Sequence, residues 1–393
     1  MAKLTVGDLD LKGKVVLMRA DFNVPQDKEL NITDDTRIRA TLPTIKYILE
    51  KGAKKLVLMS HLGRPDGKVV EKYSLKPVAV RLKELLGEGV AFLNDCVGGN
   101  IKQEIDSAKE RVILLENLRF HAEEEGNDAS FAKALASLGE VFVNDAFGTA
   151  HRAHASTEGV THFLKSAAGF LLEKEIKYLG SAVTNPEKPF MVILGGAKVS
   201  DKIGMIENLL PKADAVIIGG GMAYTFLKAM GKPIGNSKLE KDKLDLAKSI
   251  LEQAKAQGKD ILLPVDNVVV ETIDPDAKSE LVGEDILEGK IAVDIGPKTV
   301  KLFNEKLKSA KTIVWNGPLG IFEMDAFANG TKEVATFIAQ LNCTSIIGGG
   351  DTAAAIAKFK LEDKMSHIST GGGASLEYLE GKVLPGVAAL TDK

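Results

Sequence analysis

The chain has 393 residues, 45 % hydrophobic and 27 % charged, a length and composition that support a sizeable core and more than one domain. A formal net charge of −3 gives no footprint for nucleic acid or an anionic membrane, so any anion must be met by a local cluster. Cys96 and Cys343 stand far apart without a CxxC partner, the N-terminus lacks a signal-peptide core, and no apolar run nears the ~20 residues of a membrane span; reduced thiols and a cytoplasmic location are expected.

Short apolar runs alternate with helical patterns almost from end to end. Strands are predicted at Val15–Met18, Leu56–Met59, Val112–Leu115 and Val141–Val143, then at Met191–Leu194, Ala215–Ile218, Ile261–Leu263, Thr312–Trp315, Ser345–Ile347 and His367–Ser369. Between the first two, Ile38–Lys51 carries Ile38, Leu42, Ile45 and Ile48 on one helical face, with Pro43 arguing for a kink or a late start. Continuous apolar strands separated by helices imply mainly parallel sheets covered on both faces, a three-layer α/β arrangement. Ten strands is large for one open sheet, and the pattern restarts. Leu172–Val183 reads as a long helix, Thr184-Asn185-Pro186 breaks it, and a new series begins at Phe190. The expected division is therefore a domain over 1–171, a hinge helix and linker over 172–186, and a second domain over 187–380. The tail, 381–393, has apolar residues but no complete strand–helix unit and is expected to pack back on the first domain.

The two halves carry different chemistry. All eight arginines lie within the first 152 residues, whereas the triplets Gly219–Gly221, Gly348–Gly350 and Gly371–Gly373 all lie in the second half. In open α/β sheets, ligands bind beyond the carboxyl ends of strands. In the first half those positions hold Asp21 and Asn23 in RADFNVP, His61 and Arg64 in SHLGRP, Arg119 in ENLRF, and Arg152 beyond NDAFGTA. One arginine there would be an ordinary surface residue; several converging on one rim suit phosphate and carboxylate. Arg19 precedes its strand end and reads as structural, and Arg81 and Arg111 read as surface residues. Arg37 and Arg39 sit two apart near a helix start, and spacing alone does not choose between them. His151 and His154 have no third ligand nearby, so zinc is not expected.

In the second half the strand ends read LGGAKVSDK, IGGGMA, WNGPLG, IGGGDT and STGGGAS. Glycine between strand and helix lets backbone N–H groups approach a phosphate, and the helix start adds donors. Lys198 follows one such turn. Asp351 opens a helix after another, where it could act as an N-cap, a Mg²⁺ ligand, or both. Neither a P-loop nor a dinucleotide fingerprint occurs, which argues against a P-loop NTPase and a nicotinamide-dependent oxidoreductase. A non-catalytic sugar-phosphate binder would share the first rim but has no use for the glycine loops.

RADFNVP, SHLGRP, ENLRF, DAFGTAHRAHAS, GGAKVSDK, WNGPLGIFE, GGGDT and STGGGAS occur here in the order found in the phosphoglycerate kinase family, which the chain resembles over its whole length. Ile321, where valine is common, is a mild departure. The resemblance implies two Rossmann-like domains and reversible phosphoryl transfer between 1,3-bisphosphoglycerate and MgADP, giving 3-phosphoglycerate and MgATP. It implies a monomer that binds neither nucleic acid nor membrane, with Mg²⁺ as the nucleotide's metal. Around 3-phosphoglycerate it sets Asp21, Phe22, Asn23, Arg37, His61, Leu62, Gly63, Arg64, Arg119 and Arg152, resolving the Arg37/Arg39 choice for Arg37. For the nucleotide it implies Lys198, Lys202, Gly317, Glu323, Gly349, Gly350, Asp351 and Thr352, with Asp351 toward the metal. Arg37, Lys198, Gly371, Gly372 and Gly373 are expected at the transferring group.

Overall fold

The computed structural model describes residues 2–393. The chain divides into two compact units, one of residues 1–177 with 383–393 and the other of residues 178–382. The helix Phe170–Thr184 runs from the first into the second.

The first unit is built on a six-stranded sheet in the order β3-β4-β2-β1-β5-β6, with every neighbour pair parallel. Its strands are β1 (Val15–Ala20), β2 (Lys55–Met59), β3 (Val90–Phe92), β4 (Val112–Leu114), β5 (Val141–Asp145) and β6 (Ser166–Ala168). Side chains alternate across a pleated strand, so β1 sends Val16, Met18 and Ala20 into one core and Val15 and Leu17 into the other. Leu56 and Leu58 of β2 face the first core, and Val57 and Met59 the second. That double burial is why these strands are apolar throughout rather than alternating. The helix predicted from Ile38 spans Thr36–Glu50 and is continuous through Pro43, so no late start occurs. Arg111 Nη2 donates to the Leu49 carbonyl at 2.7 Å, adding to the Gly52 N–H that this last-turn group already accepts at 3.1 Å.

The C-terminal segment completes this unit. Leu4 N–H donates to the Thr391 carbonyl at 2.9 Å, and Gly386 N–H to the Ala150 carbonyl at 2.9 Å. Lys3 Nζ pairs with Asp392 at 2.8 Å, and Leu384 and Leu390 are buried.

The second unit repeats the plan with the order β15-β14-β13-β7-β8-β9, again all parallel. Its strands are β7 (Phe190–Leu194), β8 (Ala215–Ile218), β9 (Asp260–Leu262), β13 (Thr312–Asn316), β14 (Thr344–Gly348) and β15 (His367–Ile368). A separate antiparallel sheet of β10 (Asn267–Val270), β11 (Glu280–Val282) and β12 (Ile291–Ile295) lies between β9 and β13 in the chain. No helix among the described residues is long and apolar enough to cross a membrane.

Candidate functional site

Two sets of side chains gather at strand ends, one in each unit. In the first unit the turn after β1 carries Asp21, and Asp21 Oδ2 accepts from Arg37 Nη1 at 2.9 Å. Arg37 stands in the first turn of the helix Thr36–Glu50. Its neighbour Arg39 is instead bound by Asp35 at 2.8 Å on the surface, and Arg81 shares the same carboxylate. The geometry therefore sends only Arg37 to Asp21.

After β2, the His61–Arg64 turn is tied to its neighbours through backbone groups. Gly63 N–H donates to Asn23 Oδ1 at 2.9 Å, and the Gly63 carbonyl accepts from Arg119 Nη1 at 3.0 Å. Asn117 Nδ2 donates to the Leu62 carbonyl at 2.7 Å. Arg119 is itself buried, with Glu125 3.3 Å from its Nε. Arg64 is exposed and makes no side-chain hydrogen bond or ion pair among the described residues. Arg152 Nε contacts His151 Nε2 at 3.2 Å. Phe22 and Leu62 differ from the rest: both side chains lie in the core, and the Phe22 N–H is already used by Ser60 Oγ at 2.9 Å. They shape the turn and present no free side-chain group to a ligand.

Behind this rim runs a buried polar network that the strand-end reading misses. Arg19 is fully buried, and its Nε donates to Ser156 Oγ at 2.8 Å. Ser156 Oγ in turn donates to Glu124 Oε1 at 2.5 Å. Burial pushes the Glu124 carboxyl up, opposed by Arg19. His61 is driven well below its ordinary value, first by burial and then by the charges of Arg19, Arg119 and Arg37. Burial, and then the charges of Arg119, Arg19 and Arg152, push His154 down to about 3. Both rings are neutral at pH 7, so the positive charge of the rim is carried by guanidinium groups.

Asp95, Cys96 and His121 offer three potential ligand atoms within 4.8 Å of one another. Asp95 Oδ1 already accepts from His121 Nε2 at 2.7 Å and from the Cys96 N–H at 2.7 Å. Burial pushes the Cys96 thiol up, away from the thiolate a metal needs.

In the second unit a cleft of about 330 Å³ is lined by the turns after β7, β13, β14 and β15. Lys198, Lys202, Gly317, Gly349, Gly350, Asp351, Thr352, Gly372 and Gly373 all face it. Close backbone approach explains two of its glycines. A Cβ on Gly195 would lie 2.2 Å from the Pro318 carbonyl oxygen, and one on Gly317 would lie 2.2 Å from that of Gly195. Thr352 Oγ1 accepts from the Gly317 N–H at 2.6 Å, locking the β13 turn to the helix Gly350–Lys358.

Lys198 is exposed and without a side-chain hydrogen bond or ion pair among the described residues. Lys202 Nζ is held by Asn316 Oδ1, and burial lowers its pKa against the raising effect of Asp201 and Asp351. Gly371 is placed differently from its two neighbours. It is buried, and its N–H donates to Ser369 Oγ at 3.3 Å, whereas Gly372 and Gly373 line the cleft.

Glu323 lies elsewhere, in an adjoining pocket of about 440 Å³ that shares Gly196, Ala197 and Asp351 with the cleft. Tyr224, Lys238, Pro318 and Leu319 help line this second pocket. The Gly219–Gly221 triplet signalled its position, but its apolar wall comes from scattered residues with no motif. A polar cleft continuous with a more apolar pocket is the usual form of a site for a polyphosphate bearing a flat ring.

Comparison with known proteins gives a consistent result. The family model described as phosphoglycerate kinase matches residues 6–382. The phosphoglycerate kinases of Koribacter versatilis and Dictyoglomus turgidum are 59 % and 60 % identical to the chain, each aligned over all of both sequences. Among solved structures, phosphoglycerate kinase from Coxiella burnetii superposes with a TM-score of 0.92 at 44 % identity, covering 98 % of each chain. The Pyrococcus horikoshii phosphoglycerate kinase gives 0.82 at 36 % identity, with the same coverage of both chains.

Proposed function

Because the chain belongs to the phosphoglycerate kinase family, and is by that membership a glycolytic phosphotransferase, we propose that its first unit binds 3-phosphoglycerate and its second binds the nucleotide. One observation carries the division: guanidinium groups gather at the strand ends of one unit, and glycine turns with lysines at those of the other. Arg37, Arg64, Arg119 and Arg152 supply planar, permanently charged forks for a ligand with a phosphate at one end and a carboxylate at the other. Asp21 and Asn23 orient Arg37 and Gly63.

In the second unit, backbone donors of the glycine turns, with Lys198 and Lys202, meet the phosphates. Glu323 serves the ribose end. Magnesium enters as part of the nucleotide substrate. Asp351, exposed in the cleft and without an ion-pair partner among the described residues, is a hard oxygen donor suited to it.

The acceptor in the ATP-consuming direction is a carboxylate. With a pKa near ~3.5–4 it is already ionised at pH 7, so no general base is required. That agrees with a set of residues rich in cations and N–H donors and with neutral imidazoles. Catalysis is then positioning and charge stabilisation of an in-line, loose transition state, with Arg37 and Lys198 at the transferring oxygens. The reacting atoms must come within about 3–3.5 Å of one another, so the reading requires the units to close during the cycle.

The direct test is ATP consumption measured with and without 3-phosphoglycerate and Mg²⁺. Turnover should need both; turnover independent of 3-phosphoglycerate would contradict the reading.

A further inference from the structure

Arg19 uses its whole guanidinium inside the first unit. Besides Ser156 Oγ, it donates through Nη1 to the Ala20 carbonyl and to Ser60 Oγ at 3.4 Å, and its Nη2 lies 3.1 Å from His61 Nδ1. Burial lowers the Arg19 pKa to about 10, which still leaves it charged at neutral pH. A guanidinium has hydrogens on every nitrogen and no lone pair to accept with. In the Arg19–His61 contact, Nδ1 must therefore be the acceptor. A ring with a bare Nδ1 is neutral and carries its one hydrogen on Nε2. His61 makes no other side-chain hydrogen bond among the described residues, so that N–H is left for something outside the protein.

We propose that Arg19 is a positioning residue: it locks His61 in the neutral Nε2–H form, so that the ring offers phosphoglycerate one fixed hydrogen-bond donor. This rests on the reading that the first unit binds that ligand. The charges that act on the ring favour the neutral state: Arg19, Arg119 and Arg37 are cationic and His154 is neutral. The one opposing carboxylate of the network, Glu124, accepts from Ser156 rather than from the ring. The division of labour follows: arginines carry the charge, and His61 supplies direction. Its donor should not titrate between about pH 5 and pH 8, where an ordinary histidine changes charge.

The test is a long-range ¹H–¹⁵N NMR spectrum of the whole protein labelled at its six histidines, with His61 assigned by its loss in His61→Gln. The free protein should show His61 Nδ1 unprotonated and Nε2 protonated, unchanged across that pH range. A protonated Nδ1, or a ring that titrates near 6.5, would overturn the assignment. Arg19→Met should release the ring to titrate and raise the KM for 3-phosphoglycerate about tenfold, the scale of one hydrogen bond to a charged group, with the nucleotide KM unchanged.

Should that variant not fold, His61→Gln and His61→Asn separate the two ring positions. Gln retains a donor where Nε2 lies and should keep most of the affinity; Asn, which mimics Nδ1, should lose it. Equal losses would overturn the proposal. If 3-phosphoglycerate leaves the His61 signals unmoved while the tautomer is as stated, the placement of the ligand fails and the tautomer does not.

Discussion

Arg37 shows how a single side chain is selected. Asp35 binds Arg39 and Arg81, while Asp21 holds Arg37 at 2.9 Å with its remaining guanidinium nitrogens uncommitted to Asp21. Truncation at Arg37 should remove charge stabilisation that matters most in the transition state. Arg37→Ala should lower kcat by about 10²–10³-fold, with little change in nucleotide KM. A pure KM effect in steady-state kinetics would assign Arg37 to ground-state binding.

A second residue-scale expectation concerns Asp145, buried at the end of β5, where its Oδ1 accepts from the N–H groups of Leu171 and Leu172. Burial pushes its carboxyl from 3.8 up to about 7. Between about pH 4 and pH 7 the folded chain keeps a proton that the unfolded chain releases, so unfolding free energy falls as pH rises through that window. Asp145→Asn retains an oxygen acceptor without the ionisation. Denaturant midpoints across that range should fall less steeply with pH in the variant; an unchanged slope would show that Asp145 does not titrate there.

At the scale of elements, the turns after β7 and β13 pass so closely that neither can carry a side chain. Gly317 also has φ +103°, which L-residues rarely adopt. Gly317→Ala should cost about 1–3 kcal/mol by chemical denaturation and weaken ADP binding more than 3-phosphoglycerate binding. Equal affinities before and after would show that the turn does not touch the nucleotide.

The strands behind these turns were legible because both faces are buried, which writes an uninterrupted apolar run such as Met191–Leu194 into the sequence. Those not foreseen lack that mark. β3 is three partly exposed residues at a sheet edge, and β6 is Ser-Ala-Ala, extended because it pairs with β5. In the antiparallel sheet, β11 is largely exposed and β10 offers a run of only three valines, Val268–Val270, too short to mark a strand by itself.

The site was legible in a similarly uneven way. Cations at strand ends could be read from position alone, as with Arg64 and Arg119. The buried Arg19–Ser156–Glu124 relay could not, because its members lie up to 137 residues apart and meet only through the fold. Gly371 shows the opposite limit: a glycine triplet offers three donors to the eye, and the fold turns one of them to Ser369.

For the whole molecule, the last eleven residues belong to the first unit despite following the second in sequence. They bury Leu384 and Leu390 and satisfy Lys3 through Asp392 and the Ala388 and Leu390 carbonyls. Deleting 383–393 should lower the melting temperature of the first unit by exposing that apolar surface; unaltered melting would show the tail to be dispensable.

The proposed division of the substrates between two units also predicts closure. Small-angle scattering with 3-phosphoglycerate and a magnesium nucleotide together should give a smaller radius of gyration than the free protein, and an unchanged radius at saturation would count against it. The most direct measurement is calorimetry of each ligand against Arg64→Lys, which keeps the charge but loses the bidentate fork. Affinity for 3-phosphoglycerate should fall about tenfold or more while that for MgADP stays the same. A fall in MgADP affinity, with 3-phosphoglycerate unaffected, would contradict the assignment of ligands to units.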